Sequence, residues 1–396
     1  MKSIRTIALI VASTVVLHAS GESFDSLVDR MIALNPGLRS EAYAYAAQRE
    51  SLRSAAMLPD PEIEGGYMWS SGEPGNKTDI TVSQSMEWPG VYSAMRREAR
   101  LQSKATNLSE QATIISAREN ARILLAEGVY LNKCRQVMAN RMECIDSLLD
   151  IATKGALRNE ITLLDVEKLK LERLEVLARQ TELNTQATQC ISAIGAFIGS
   201  IENAKDIYNA IEDYPAEMLH PLAIYSDKLD ETPEVEQSRI LAEASRARSE
   251  AERRRSLPSL TAGYHFAREE GTPFHGFVAG LSIPVFSTRG KSEAARLESM
   301  AAEARAEQQA IEQRLSLESI HASAMQFKTQ YESYHKVLTD SPTPRLLLRA
   351  LEGGQISMMV YLIESASHTD AILRMLEIQY RYQQAMAQLD RYNPGN

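Results

Sequence analysis

Few residues in this chain of 396 are spaced for covalent chemistry. A glycine-rich phosphate loop, a nucleophile elbow and a His-Glu-x-x-His pair are all missing from the sequence, so neither an enzyme nor a cofactor site is expected. His265 and His275 flank one hairpin and could begin a metal site, but period-two alternation sends them to opposite faces, so no metal site is expected there. Met138, Met142, Met358 and Met359 read as packing residues rather than a metal relay. What remains is charge. Glu62, Glu64, Asp79 and Glu87 lie in or beside alternating segments, and Lys154, Arg158, Glu160, Asp165, Glu352 and Gln355 gather around two glycine turns. Their meaning depends on the elements that hold them.

The chain is 44% apolar and 24% charged, with 6% aromatic residues, which is the composition of a folded protein. After the N-terminus no uncharged apolar run is long enough for a membrane-spanning helix. A formal charge of -9 argues against nucleic acid as a main partner, because neutralising phosphates needs a basic surface. Residues 1–21 read as an export signal, with Lys2 and Arg5 leading, Ile7 to Leu17 mostly apolar, and Ala19-Ser20-Gly21 small enough for cleavage. No cysteine sits near that cut, which argues against a lipid anchor. Cys134, Cys144 and Cys190 are too few for a disulfide framework. Cys134 and Cys144 also stand roughly 15 Å apart along one helix, too far to bridge.

The order of signals repeats. The first half runs from Asn35-Pro36-Gly37 through an Ala-rich helix to Met57, then Leu58-Pro59, a Gly66-Tyr67 strand, a turn, a strand to Trp88, and Pro89-Gly90. The second runs from Thr232-Pro233 through an Ala/Arg/Glu-rich helix to Ser256, then Leu257-Pro258, a Gly263-Tyr264 strand, a turn, a strand to Pro284-Val285-Phe286, and Gly290. A long helix follows each, ending near Gly155 and Gly354 after almost equal lengths. Ile161-Thr162 and Ile356-Ser357 then offer N-caps for a returning helix, and the glycines read as C-caps. The organisation expected is a first helix-hairpin-helix repeat over 22–199, a connector over 200–231 and a second repeat over 232–396.

Apolar spacing of three and four through Ile114, Ala117, Ala121, Leu124, Gly128, Leu131, Met138, Met142, Ile145, Leu149 and Ala152 is coiled-coil periodicity over about five heptads. Ala294, Leu297, Ala301, Ala304, Ile311 and Leu315 continue the theme in the second half. Each long helix would reach roughly 90 Å, and two shorter ones stacked end to end about 95 Å. Pro342 and Pro344 must kink or break the second.

All four strand candidates alternate. Ile63, Gly65, Tyr67 and Trp69 share one face of the first, and Ile80, Val82, Met86 and Trp88 one face of the next. Leu260, Ala262, Tyr264 and Phe266 do so in the third, and Phe277, Ala279, Leu281, Ile283 and Val285 in the fourth. Strands of about 8 to 11 residues with an apolar face, aromatic ends and a polar face fit an outer-membrane barrel. A soluble sheet resting one face on a helical core is the alternative. Four strands cannot close a barrel, so the membrane reading needs subunits that share one.

On these residues the sequence resembles the TolC family of outer-membrane efflux proteins, over essentially the whole chain after the signal. The resemblance rests on the duplicated helix, strand, strand, helix order, on Pro89-Gly90 and Gly290, on Gly155 through Ile161-Thr162 to Asp165-Val166, and on Leu351 to Ser357. Leu58-Pro59-Asp60-Pro61 and the Ile356 to Glu364 stretch look more like the heavy-metal, CzcC/CusC-like branch. The resemblance implies a mainly α fold in which a homotrimer forms a 12-stranded outer-membrane β-barrel continuous with a periplasmic α-helical tunnel. It implies a periplasmic adaptor and an inner-membrane pump of the resistance-nodulation-division type as partners, and passive export of metal ions or small toxic compounds. The segment from Ile201 to Glu231 is short for the family's equatorial domain, and many relatives carry a lipid anchor that is not expected here.

Under that resemblance Lys154, Arg158, Glu160, Asp165, Glu352 and Gln355 are candidates for a charged constriction at the periplasmic tips, where rings of charge select ions. Gly155, Ile161, Thr162, Gly353, Gly354, Ile356 and Ser357 are candidates for adaptor docking. Tyr67, Trp69, Trp88, Tyr264, Phe266 and Phe274 would form an aromatic belt. Glu62, Glu64, Asp79 and Glu87 would face the lumen and favour cations. Ordinary solvated charges around helix turns, paired aromatics in a soluble sheet, and a periplasmic coiled-coil adaptor or scaffold are the competing readings.

Overall fold

A computed structural model describes residues 22–54, 57–69, 75–157, 161–216, 218–284, 290–339 and 341–392. The signal segment 1–21, most of the Ser70 to Lys77 loop, Arg158, Glu160 and Val285 lie outside the described residues. The chain divides into two compact units, one holding residues up to Leu34 with Leu124–Ala216, the other Asn35–Ile123 with Glu217–Asn396. The helix Pro89–Leu157 contributes to both.

The first unit contains α1 (Phe24–Leu34), the part of α3 (Pro89–Leu157) from Leu124 onward, α4 (Leu163–Ile198) and α5 (Ile201–Ala210). Arg173 bonds Asp146 and Arg135 bonds Asn184, while Cys190 donates to the Leu124 carbonyl. Partners that rise along α4 as they fall along α3 mark an antiparallel pair. Leu131, Met138, Ile145 and Ala152 are buried as the heptad spacing predicts. The stripe also takes in Arg141 and Leu148, where Met142 and Leu149 are predicted. An α-helix drifts about 20° per heptad against a 3.5-residue repeat, so neighbouring positions enter the seam. Buried Arg141 keeps its charge satisfied through Glu172 at 2.8 Å. Burial, then the nearby Glu127 carboxylate, pushes the Cys190 thiol up to about 12. Burial also raises the Glu127 carboxyl.

The second unit begins with α2 (Pro36–Ser54), β1 (Glu62–Met68), β2 (Lys77–Met86) and α3 as far as Ile123. It continues with α6 (Leu222–Lys228), α7 (Pro233–Arg254), β3 (Ser259–Glu269), β4 (Thr272–Ser282), α8 (Lys291–Leu338), α9 (Thr343–Glu352) and α10 (Met358–Leu389). Its helical core gathers Tyr225, Leu229, Leu317, Ala324, Tyr382, Met386, Leu389 and Tyr392. Ala244, Ala247 and Ala251 of α7 and Ala295 and Ala306 of α8 are buried, and their small side chains let helices approach closely. The second long helix is divided: α8 stops at Leu338 and α9 begins at Thr343, as Pro342 and Pro344 require.

The four strands make one antiparallel sheet in the order β1-β2-β3-β4. Each hairpin pairs with itself, and β2 pairs with β3 from Lys77↔Glu269 to Met86↔Leu260, which joins the two hairpins edge to edge. At 10, 11 and 11 residues β2, β3 and β4 reach the length of about 9–11 residues that a membrane barrel strand needs, and β1, at 7, falls short of it. The second and fourth strands stop at Met86 and Ser282, short of the predicted ends.

Candidate functional site: the sheet and the hairpin tips

Register assigns every strand residue to a face. Ile63 lies opposite Val82, which lies opposite Tyr264, which lies opposite Phe277, so these share one face. Ile80, Phe266, Leu260 and Leu281 join them. This apolar face rests on no helical core: Phe277 is 93%, Ile63 74% and Leu281 60% exposed. The opposite face carries Glu62, Glu64, Asp79, Thr81, Ser83, Thr261 and His265, and toward the hairpin end of β3 Ala267 is only 5% exposed. The sheet is inside out by the standard of a soluble protein, which would turn the apolar face inward.

On the polar face, glycines let neighbouring groups come close. A Cβ at Gly66 would stand 2.6 Å from Asp79 Oδ1, and one at Gly263 2.7 Å from the Val82 carbonyl oxygen. Across the β2–β3 pair Thr81 Oγ1 and His265 Nδ1 are 2.8 Å apart, and Lys77 Nζ lies 3.8 Å from Glu269. Glu62 and Glu64 are exposed and Asp79 is half-buried.

The predicted aromatics stand at different heights. Tyr67 and Trp69, with centroids 6.3 Å apart, lie at the hairpin end, and Trp88 at the helix end. Tyr264 and Phe266 sit mid-strand on the apolar face, where Tyr264 packs edge-on against Phe277 and Phe266 meets His275 at 5.2 Å. Phe274 departs from the expectation. It pairs with Ala267 and so belongs to the polar face, because its even position opposes odd-numbered Phe277 and Leu281.

Glu87 also differs from the free acids. Arg255 Nε lies 3.1 Å from its carboxylate and also bonds Glu252, while the Tyr92 hydroxyl accepts from its amide at 2.9 Å. Arg254 donates to the Gly90 carbonyl at 2.7 Å, so two arginines clamp the strand-to-helix junction. Burial works against the Arg255 charge, and Glu87 and Glu252 outweigh it, raising its pKa. Burial raises the Glu98 carboxyl beside them, partly offset by Arg248 and Arg255. The clamp is foreshadowed only by the run Arg253-Arg254-Arg255 at a helix end, where cations are favoured.

At the first tip, Thr162 caps α4 by accepting from the Asp165 amide at 3.2 Å and donating to its carboxylate at 2.7 Å. Lys154 pairs along its own helix with Asp150 at 2.5 Å. Gly155 is not a C-cap. Helix α3 continues to Leu157, and Gly155 is small because Ile161 folds back onto it, leaving 2.8 Å to any Cβ. At the second tip Gly353 keeps a right-handed conformation, and Gly354 alone takes the left-handed one, with φ 66°. Gln355 and Ile356 both donate to the Ala350 carbonyl, and Ser357 caps α10 through the Val360 amide at 3.3 Å. Glu352 and Gln355 are exposed.

No protein-family model and no curated protein matches the sequence. Solved structures do. The outer-membrane channel OprN aligns with a TM-score of 0.79 at 14% identity, over 94% of this chain and 90% of that one. The Campylobacter jejuni CmeC outer membrane channel gives 0.76 at 13%, over 96% and 90%. CusC, whose structures concern folding and transmembrane channel formation, gives 0.72 at 16%, over 96% of each chain. Such similar values do not single out a CusC-like branch. What these proteins share with the chain is architecture from end to end: it has the TolC-like fold of outer-membrane channels.

Proposed function

We propose that the chain is the outer-membrane channel of a tripartite efflux system. The observation that carries this reading is the inverted sheet, apolar and exposed on one side and polar on the other, with β1 and β4 at its edges. In a bilayer, open sheet edges are excluded because their backbone groups would go unsatisfied. Three copies, each giving four strands, would close a 12-stranded barrel, with β4 of one meeting β1 of the next. A second requirement points the same way: Leu297, Met300, Ile311, Leu315 and Met325 leave an exposed apolar stripe along α8. A homotrimer would cover it with helices of the next copy.

In this reading residues 1–21 direct export, 22–199 and 232–396 are duplicated repeats that each supply a hairpin, and 200–231 connects them. The tips around Gly155 and Gly354 face a periplasmic adaptor, through Ile161, Thr162, Gly353, Ile356 and Ser357. Lys154, Arg158, Glu160, Asp165, Glu352 and Gln355 ring the entrance. An inner-membrane pump, of the resistance-nodulation-division type, supplies the energy, and the channel passively conducts metal ions or small toxic compounds. Glu62, Glu64 and Asp79 line the lumen and favour cations, whereas Glu87 serves the junction.

Fractionation of the native protein, followed by the mass of the detergent-solubilised species, tests this. A trimer in the outer-membrane fraction is expected. A monomer or dimer released to the soluble periplasm without detergent would refute it and favour a periplasmic scaffold.

A further inference from the structure

Among the described strand residues, Arg268 is the one lysine or arginine on the apolar face of the sheet. In β3 the even positions share that face, and beyond Phe266 the next is Arg268, paired with Thr78 on one side and Pro273 on the other. Its side chain is exposed and forms no ion pair among the described residues. The nearest acids are engaged elsewhere: Glu269 turns to the polar face beside Lys77 at 3.8 Å, and Glu270 accepts from the Gly75 amide at 3.1 Å. One row below, His275 pairs with Phe266, and its Nδ1 lies 2.5 Å from the Tyr264 hydroxyl. With that hydroxyl donating to Nδ1, the imidazole hydrogen sits on Nε2 and is left for another acceptor.

Height explains how an arginine can stand on this face. From Thr78, the partner of Arg268, to Trp88 the chain runs ten residues (88 minus 78). That is about 34 Å of strand, or roughly 26 Å along a barrel axis at a tilt of about 40°, and the apolar band of a membrane barrel is about 25 Å tall. Trp88 therefore marks one boundary of the band and Arg268 the other, where a long cation reaches headgroups rather than acyl chains. Beyond Arg268 only Glu269 precedes a two-residue turn of Glu270 and Gly271, with φ of 49° and 87°, so the hairpin ends just above it. Strand β3 has β2 and β4 of its own chain on either side. A copy that pairs with β1 or β4 leaves the face of β3 turned to lipid.

We infer that Arg268, together with the Tyr264–His275 pair, binds a phosphorylated lipid headgroup of the outer leaflet. The inference rests on the barrel reading above, which sets this face against lipid and the hairpin turns on the side away from the helices. The guanidinium supplies charge and two parallel donors to phosphate oxygens, and His275 Nε2 adds a donor from the row below. Ile80, Phe266 and Phe277 beneath them offer the acyl chains an apolar wall.

Native mass spectrometry of the detergent-solubilised protein, titrated with bis-phosphorylated lipid A or with its dephosphorylated form, tests the site. The trimer should hold the phosphorylated lipid about tenfold more tightly or better, and Arg268→Gln should abolish that preference. Arg268→Lys, which keeps the charge, should retain most of it, and His275→Gln should weaken it. Lys77→Gln, next to the same row but on the polar face, should change nothing. Excess inorganic phosphate should fail to displace the lipid. A trimer that holds both lipids alike, or that Arg268→Gln and Lys77→Gln affect equally, would overturn the site and leave the channel reading standing. Displacement by inorganic phosphate would overturn the lipid as its ligand. A monomer that takes up neither lipid would overturn the site and the channel reading together.

Discussion

Crowding on the polar face can be tested at two glycines of one hairpin. At Gly263 an added methyl would lie 2.7 Å from the Val82 carbonyl oxygen and 3.0 Å from Ser83 Cβ, both belonging to the adjacent strand. Ordinary carbon-to-oxygen contacts begin at about 3.3 Å, so Gly263→Ala must part β2 and β3 by roughly 0.6 Å. Backbone cannot rotate away as a flexible side chain does, and overpacking of this kind costs about 1–3 kcal/mol. Gly276 is on the same face, opposite His265, and a methyl there meets nothing within 4 Å. Gly276→Ala should therefore be neutral or stabilising by about 0.5 kcal/mol, since it only narrows the unfolded ensemble. The assay is the urea midpoint of the detergent-solubilised protein, with the assembled fraction after heating as a second readout. Similar effects of the two substitutions, or a larger one at Gly276, would refute the close β2–β3 approach at Gly263.

Glu127 yields a pH prediction. Burial raises its folded-state pKa, so folding favours the protonated form and ionisation costs stability as pH rises through the ordinary carboxylate range to the raised value. Glu127→Gln should thus raise the melting temperature near pH 7.5, with the gain vanishing toward pH 4, as thermal scans at both ends would show. Cys190, with its thiol pushed up to about 12, should resist maleimide at pH 8 until the protein is unfolded, while half-buried Cys144 labels first; mass spectrometry of the labelled peptides decides. Thr162→Ala removes the cap of α4 and should cost about 1 kcal/mol, seen as faster amide exchange confined to the first turn of that helix.

Alternation and punctuation made the fold readable, because each rests on a rule acting over a few residues. Gly66-Tyr67 and Gly263-Tyr264 marked strands, Pro342 and Pro344 marked the divided helix, and Thr162 and Ser357 marked helix starts. Phe274 went astray although its parity was available, since aromatic character alone suggested a belt. Gly155 was read as a cap because nothing local announces that Ile161 will fold back onto it. Arg141 and the Arg254 and Arg255 clamp escaped for a related reason. Their acceptors, Glu172, Gly90 and Glu87, lie far along the chain, so only the folded geometry brings them together.

The β2–β3 pairing also has a temporal meaning. Thr81 meets His265 across a sequence separation of 184 residues, so the first hairpin leaves synthesis with one edge of β2 unpaired and must wait for most of the chain to follow. Long-range pairing of this kind is slow and leaves strand edges open to wrong partners. Biogenesis, rather than the finished state, is then where this sheet is most vulnerable, and a holdase that shields Ile63, Ile80 and Val82 until β3 arrives would matter more to yield than any single contact in the folded protein.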